Sequence, residues 1–169
     1  MKYVLILAFA FSFITPVNAQ ESINSSITTY YLIRHAEKDR SDKNERNPKL
    51  KEQGIERAEK WSNVFEHINF DAVYSTNYNR TIATATPTAK AKALEITLYD
   101  PTNLYSEEFA EATFGKTVLI VGHSNTTPAF ANAILGKEKY ADMDDRDNGS
   151  LFIVTIYEDH KIDQVLKIN

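Results

Sequence analysis

The run TVLIV at Thr117–Val121 has no polar side chain after its first residue. A short, unbroken run of β-branched and aliphatic residues is the pattern of a buried strand. Thr28–Ile33 repeats it with aromatic residues mixed in, and Asp71–Ser75 and Ile96–Tyr99 read as shorter strands. Helical patterns separate these runs. Ile55, Ala58, Trp61, Phe65 and Ile68 recur at spacings of three and four, so they line one helix face. Tyr78, Ile82, Ala85 and Ala89 mark a second helix, weakened by Pro87. Residues 104–114 form a short third one. Pro128–Leu135 is a fourth, with proline near its start and Gly136 past its end. Leu151–Tyr157 and Ile162–Ile168 read as two last strands joined through Glu158–Lys161. Strands that alternate with helices predict an α/β domain with a mostly parallel central sheet.

The first residues belong to a different class. Lys2 precedes an apolar stretch from Tyr3 to Ile14, and Val17-Asn18-Ala19 offers short residues where a signal peptidase reads. The run is shorter than the about 20 apolar residues that span a bilayer, and it meets Pro16. The expectation is a signal peptide over 1–19, a single domain over 20–169, and an exported product, periplasmic or secreted, without stable membrane insertion once the leader is removed. The rival is a membrane anchor. The formal net charge of −4, one unit more negative without Lys2, makes nucleic acid and anionic membrane surfaces poor partners. With no cysteine there is no thiolate nucleophile and no Cys-based metal site.

In a parallel α/β sheet, ligands sit beyond the carboxyl ends of the strands. The first strand here ends at Arg34-His35. The second runs into YSTNYNRTIATA, with Arg80 about one helical turn past Ser75, and the TVLIV strand runs into Gly122-His123. Two arginines and two histidines therefore follow three strand ends. Helix N-termini near Asn77 and Asn125 would add oriented N–H groups. The combination asks for an anion, and phosphate suits arginine forks best. A competing reading is a structural ion-pair network in which Glu37 and Asp39 neutralise the arginines.

LIRHAEK, YSTNYNRTIATATP and LIVGHSNT resemble the three signature segments of the histidine phosphatase superfamily, the group that includes phosphoglycerate mutases. NPKLKEQGIERA resembles the stretch leading into that family's first helix, with Leu50, Gly54 and Ala58 matching. The short chain looks most like the compact members, the phosphohistidine phosphatase type included. The resemblance implies a three-layer, phosphoglycerate mutase-like sandwich and a phosphatase that needs no metal or other cofactor. It implies His35 as nucleophile, with Arg34, Arg80 and His123 around the phosphoryl group and Ser124 and Asn125 as further donors. The substrate would be a small phosphorylated molecule or a phosphoprotein. The proton donor that the family places after its third strand matches Glu107 or Glu108 loosely, with Asp100 and Glu37 as rivals. Ala36 stands where the family has glycine.

Two alternatives stay open: a non-catalytic phosphate-binding module, and a metal-dependent hydrolase with His35, His123 and Glu37 as ligands. The acid-rich DMDDRDNGS (142–150) fails the EF-hand pattern, with Arg146 and Thr155 at ligand positions, and reads as a solvated or substrate-gating loop. The sequons at Asn24, Asn79, Asn125 and Asn148 are read as chance.

Overall fold

The alternation seen in the sequence closes into one sheet. The computed structural model describes residues 27–168; the expected leader and its cleavage point lie outside them. Six strands, β1 (Ile27–Arg34), β2 (Ala72–Ser75), β3 (Ile96–Leu98), β4 (Thr117–Gly122), β5 (Ser150–Tyr157) and β6 (His160–Lys167), order as β3-β2-β4-β1-β5-β6. The first four are parallel, and β5 runs antiparallel to both β1 and β6.

Helices cover both faces. Trp61 and Phe65 at the end of α1 (Glu52–Val64), with Ala85 and Ala89 of α2 (Asn79–Ala91), pack on Ile33, Val73, Leu119 and Val121. On the opposite face, Phe130, Ala131 and Ile134 of α4 (Thr126–Leu135) pack on Tyr30, Leu32, Val118 and Ile120, and Phe109 of α3 (Glu107–Thr113) lies against them. Successive strand residues thus feed two different cores, which is why the runs are apolar throughout. The result is the expected three-layer α/β sandwich.

Local chemistry sets the ends. Ser106 caps α3 by accepting from the Phe109 N–H at 3.2 Å. Gly136 ends α4 in the left-handed region, with φ of 71°. Two expectations shift. α2 runs unbroken through Pro87. Ile55 is on α1 but 56% exposed, because Gly54, Ala58 and Trp61 take the buried face. Gly54 is required there: a Cβ would lie 2.2 Å from the Glu37 carbonyl oxygen. Among the described residues no helix is long and apolar enough to cross a membrane.

Candidate active site

The strand order explains why distant segments meet. β4 lies between β1 and β2, so the ends of these three strands are neighbours, with Arg34 level with Gly122 and Ser75 level with Val121. The His35 N–H donates to the Gly122 carbonyl at 2.9 Å, which extends the pairing one residue into the site. His35 and His123 end up with ring centroids 5.4 Å apart. A cavity of about 400 Å³ opens over them, lined by Arg34, His35, Arg80, His123, Ser124 and Asn125 together with Lys38, Tyr78 and Asp145.

Each imidazole has its tautomer fixed. His35 is 3% exposed, and its Nδ1 lies 2.7 Å from the Ala36 carbonyl. A carbonyl only accepts, so Nδ1 carries the proton and Nε2 keeps its lone pair. Thr81 Oγ1 donates to backbone carbonyls and accepts from Thr76 Oγ1 at 3.0 Å. With its own proton used there, Thr76 Oγ1 accepts from His123 Nε2 at 3.0 Å. His123 Nδ1 then accepts from Arg80 Nη2 at 3.3 Å. His123 was expected to donate toward a phosphoryl group; in this state its one N–H is given to Thr76.

Both rings are neutral near pH 7. Burial first, then the charges of Arg34 and Arg80, push His35 down to about 3, against the raising effect of its bond to Ala36. Burial, Arg80 and Arg34 push His123 down to about 4.

The arginines are held differently from each other. Arg34 is 2% exposed. Its Nη1 donates to the carbonyls of Asp144 and Asp147 at 3.0 and 3.2 Å, and its Nη2 to Asp145 Oδ1 at 2.9 Å. Its fork is therefore engaged by the acid-rich loop, with Nε unpartnered. Arg80 stacks 4.5 Å from the Tyr78 ring centroid. Its Nε and Nη1 are buried without a partner among the described residues. Three buried guanidinium N–H positions without acceptors, in two side chains that line one cavity, call for an anion. Arg34, Lys38 and Arg80 against Asp145 leave an excess of two positive charges, the charge of a phosphate monoester dianion.

Supporting contacts fix the backbone around His35. The Ala36 N–H donates to Thr84 Oγ1 at 2.9 Å, and Thr84 donates to the Arg80 carbonyl at 2.7 Å, which joins the His35 turn to α2. Ala36 fits in place of glycine at 0% exposure. Asn148 Nδ2 donates to the His35 carbonyl at 2.8 Å; its side chain is committed there rather than available to a glycan.

The candidate proton donors lie elsewhere. Glu107 and Glu108 sit in the exposed first turn of α3 and do not line the cavity. Asp100 accepts from the N–H and hydroxyl of Thr102 in its own turn. Glu37 is gripped by Arg57 Nε at 2.8 and 3.0 Å, so neither it nor Asp39 neutralises the site arginines. Among the described residues no three His, Asp or Glu side chains gather as metal ligands would. The cavity carboxylate is Asp145. Although burial opposes it, hydrogen bonds and charge from Arg34 and Arg40 hold its pKa below the usual carboxylate value. Lys38, Thr76 and Asp145 had not been assigned to the site from the sequence, and Tyr78 had been read only as part of the second helix, of which it is the N-cap. Thr76 and Tyr78 sit inside the segment that carries Arg80.

Residues 30–101 match the sequence profile of the histidine phosphatase superfamily (branch 1). No curated protein matches the chain significantly. Solved structures share the fold. One, from Agrobacterium tumefaciens, is assigned as a phosphohistidine phosphatase SixA: 22% identical, TM-score 0.61, covering 83% of this chain and 99% of that one. A phosphoserine phosphatase variant from Entamoeba histolytica, bound to phosphoserine, is 15% identical at TM-score 0.60, covering 80% and 94%. An Escherichia coli protein assigned as an α-ribazole-5′-phosphate phosphatase is 15% identical at TM-score 0.62, covering 83% and 96%. The chain thus resembles the histidine phosphatases in sequence over 30–101 and in fold throughout the sandwich. The sequence likeness over 30–101 supports a phosphatase function; the solved structures show the fold.

Proposed function

We propose that this chain is a metal-independent phosphatase that works through a covalent phosphohistidine on His35. The observation that carries the reading is the His35 ring, pinned by its Nδ1 proton to Ala36 with Nε2 unprotonated, between Arg34, Arg80 and His123. Nε2 attacks phosphorus and forms the P–N bond as the ester P–O bond breaks and the leaving oxygen takes the electron pair. Nδ1 keeps its proton, and the Ala36 carbonyl steadies the positive charge gained by the ring. The guanidinium groups of Arg80 and Arg34, which border the cavity, supply the positive charge beside the equatorial oxygens, where positioned cations contribute most. Water then attacks phosphorus, phosphate departs, and the lone pair returns to Nε2.

No neutral carboxylic acid faces this cavity among the described residues, since Asp145 is held ionised by Arg34 and Arg40. The leaving group takes its proton from solvent, which favours substrates whose leaving group departs readily: aryl phosphates, acyl phosphates and phosphoramidates. Phosphohistidine belongs to the last class, and the Agrobacterium relative's assignment names it.

Release of p-nitrophenol from p-nitrophenyl phosphate tests the reading. Wild type should be active, before and after dialysis against EDTA, and His35→Ala inactive; equal release from both proteins overturns it and leaves a phosphate-binding module. Export rests on the leader pattern alone. Fractionation of cells expressing the chain with and without residues 1–19 should find it outside the cytoplasm only when they are present.

A further inference from the structure

The cavity does not end at Arg34. A second lobe of about 420 Å³ opens beyond it and shares Arg34, His35, Lys38 and Asp145 with the first. Arg40, Lys51 and Arg146 also line it, so five cations surround this space in a chain of formal net charge −4. Its two carboxylates are already committed. Glu37 is held by Arg57 at 2.8 Å. Asp145 reaches Arg34 at 2.9 Å and Arg40 at 2.7 Å. Lys38 and Lys51 have no ion-pair partner among the described residues. Burial, then the charges of Arg40 and Arg80, pull the Lys38 pKa down, so its charged form is held at a cost. Lone basic residues on a surface are ordinary; five converging on one concavity repel each other and gain from an anion. The Asp145 bridge shows that the Arg34–Arg40 pair accepts a carboxylate at hydrogen-bonding distance.

We propose that this second lobe binds a second anionic group, a phosphate or a carboxylate, carried by the same small substrate whose phosphoryl group faces His35. The inference rests on the phosphate-binding role proposed above for the first lobe. One phosphate answers the charge excess of that lobe. Beyond it Arg40 shares Asp145 with Arg34, Arg146 is bridged to Asp144 at 3.4 Å, and Lys51 has no acidic partner among the described residues, so a second anionic group a few bonds away answers the positive charge that remains.

Binding tests this without turnover. His35→Ala is titrated calorimetrically with two matched pairs, fructose 6-phosphate against fructose 1,6-bisphosphate, and glycerol 3-phosphate against 3-phosphoglycerate. At least one two-anion ligand should bind about tenfold more tightly than its partner, the scale of one charge-assisted contact. The pair that shows the gain tells whether phosphate, carboxylate or either is taken. Arg40→Gln with Lys51→Gln on the same background should reduce that gain to about twofold, and raised salt should reduce it too. Both residues are exposed, so the fold should survive their replacement. Equal affinities in both pairs, or a gain that persists in the double variant, overturns the proposal. A protein that shows the gain yet releases no p-nitrophenol contradicts the phosphatase reading alone; one that binds none of the four ligands contradicts both.

Discussion

Acidification from pH 7 to pH 5 should destabilise the fold through its two site histidines. The folded state holds His35 and His123 neutral, with pKa values pushed down to about 3 and about 4. The unfolded chain binds a proton on each near pH 6.5. Protons therefore favour the unfolded state, and stability falls as pH drops below about 6.5 toward the folded values. At pH 5, about 1.5 pH units below the unfolded pKa, His35 alone loses about 2 kcal/mol relative to pH 7. His123 is more open to solvent and is discounted to about 1 kcal/mol. Carboxylates with depressed pKa values, Asp145 and Asp147 among them, give up their stabilisation only below about pH 4, outside this window. Urea unfolding at pH 7 and pH 5 in phosphate-free buffer measures the difference, because bound phosphate would stabilise the fold separately. Wild type should lose about 3 kcal/mol, and His35→Gln about 2 kcal/mol less than that, whatever its stability at pH 7. An equal pH loss in both proteins would refute the buried, neutral His35 on which the nucleophile assignment depends.

Gly54→Ala replaces glycine within a helix and would gain about 1 kcal/mol from propensity alone. Here the new Cβ meets the Glu37 carbonyl at 2.2 Å, beside the Lys51 N–H bond to that oxygen, and the cost of overpacking wins. A thermal melt should show a midpoint lower by about 5 °C, against the increase that propensity predicts. Thr76→Val removes the acceptor of the His123 Nε2 proton and strands a buried donor, for a loss of about 1–2 kcal/mol in urea. An unchanged unfolding midpoint would mean that His123 is anchored by some other contact.

The parts of this molecule that were legible in the sequence are those encoded locally. Continuous apolar runs marked β1 and β4, and the residues after them, Arg34-His35 and His123, needed only the parallel-sheet rule to be placed together. Helix boundaries were less legible. Pro87 lies inside α2, where packing of Ala85 and Ala89 on the sheet outweighs the lost backbone bond. Ile55 kept the helical spacing but not the buried face, because the approach of Glu37 reserves that face for glycine. The grip of the 144–147 loop on Arg34 was not legible. It spans more than a hundred residues and uses two backbone carbonyls, which no side-chain pattern encodes. Asp145 sat in an acid run indistinguishable from a solvated loop. Glu107 is the converse case: its place in the chain suited a proton donor, but α3 turns it to solvent, away from the residues that line the cavity.

The central claim is the bond between phosphorus and one ring nitrogen. Wild-type protein mixed with p-nitrophenyl phosphate, quenched in alkali within the first turnovers and digested at once, should yield a peptide heavier by one phosphoryl group, with the added mass on His35 and absent from His35→Ala. Active wild type that carries no such adduct, or carries it on another residue, would contradict the account.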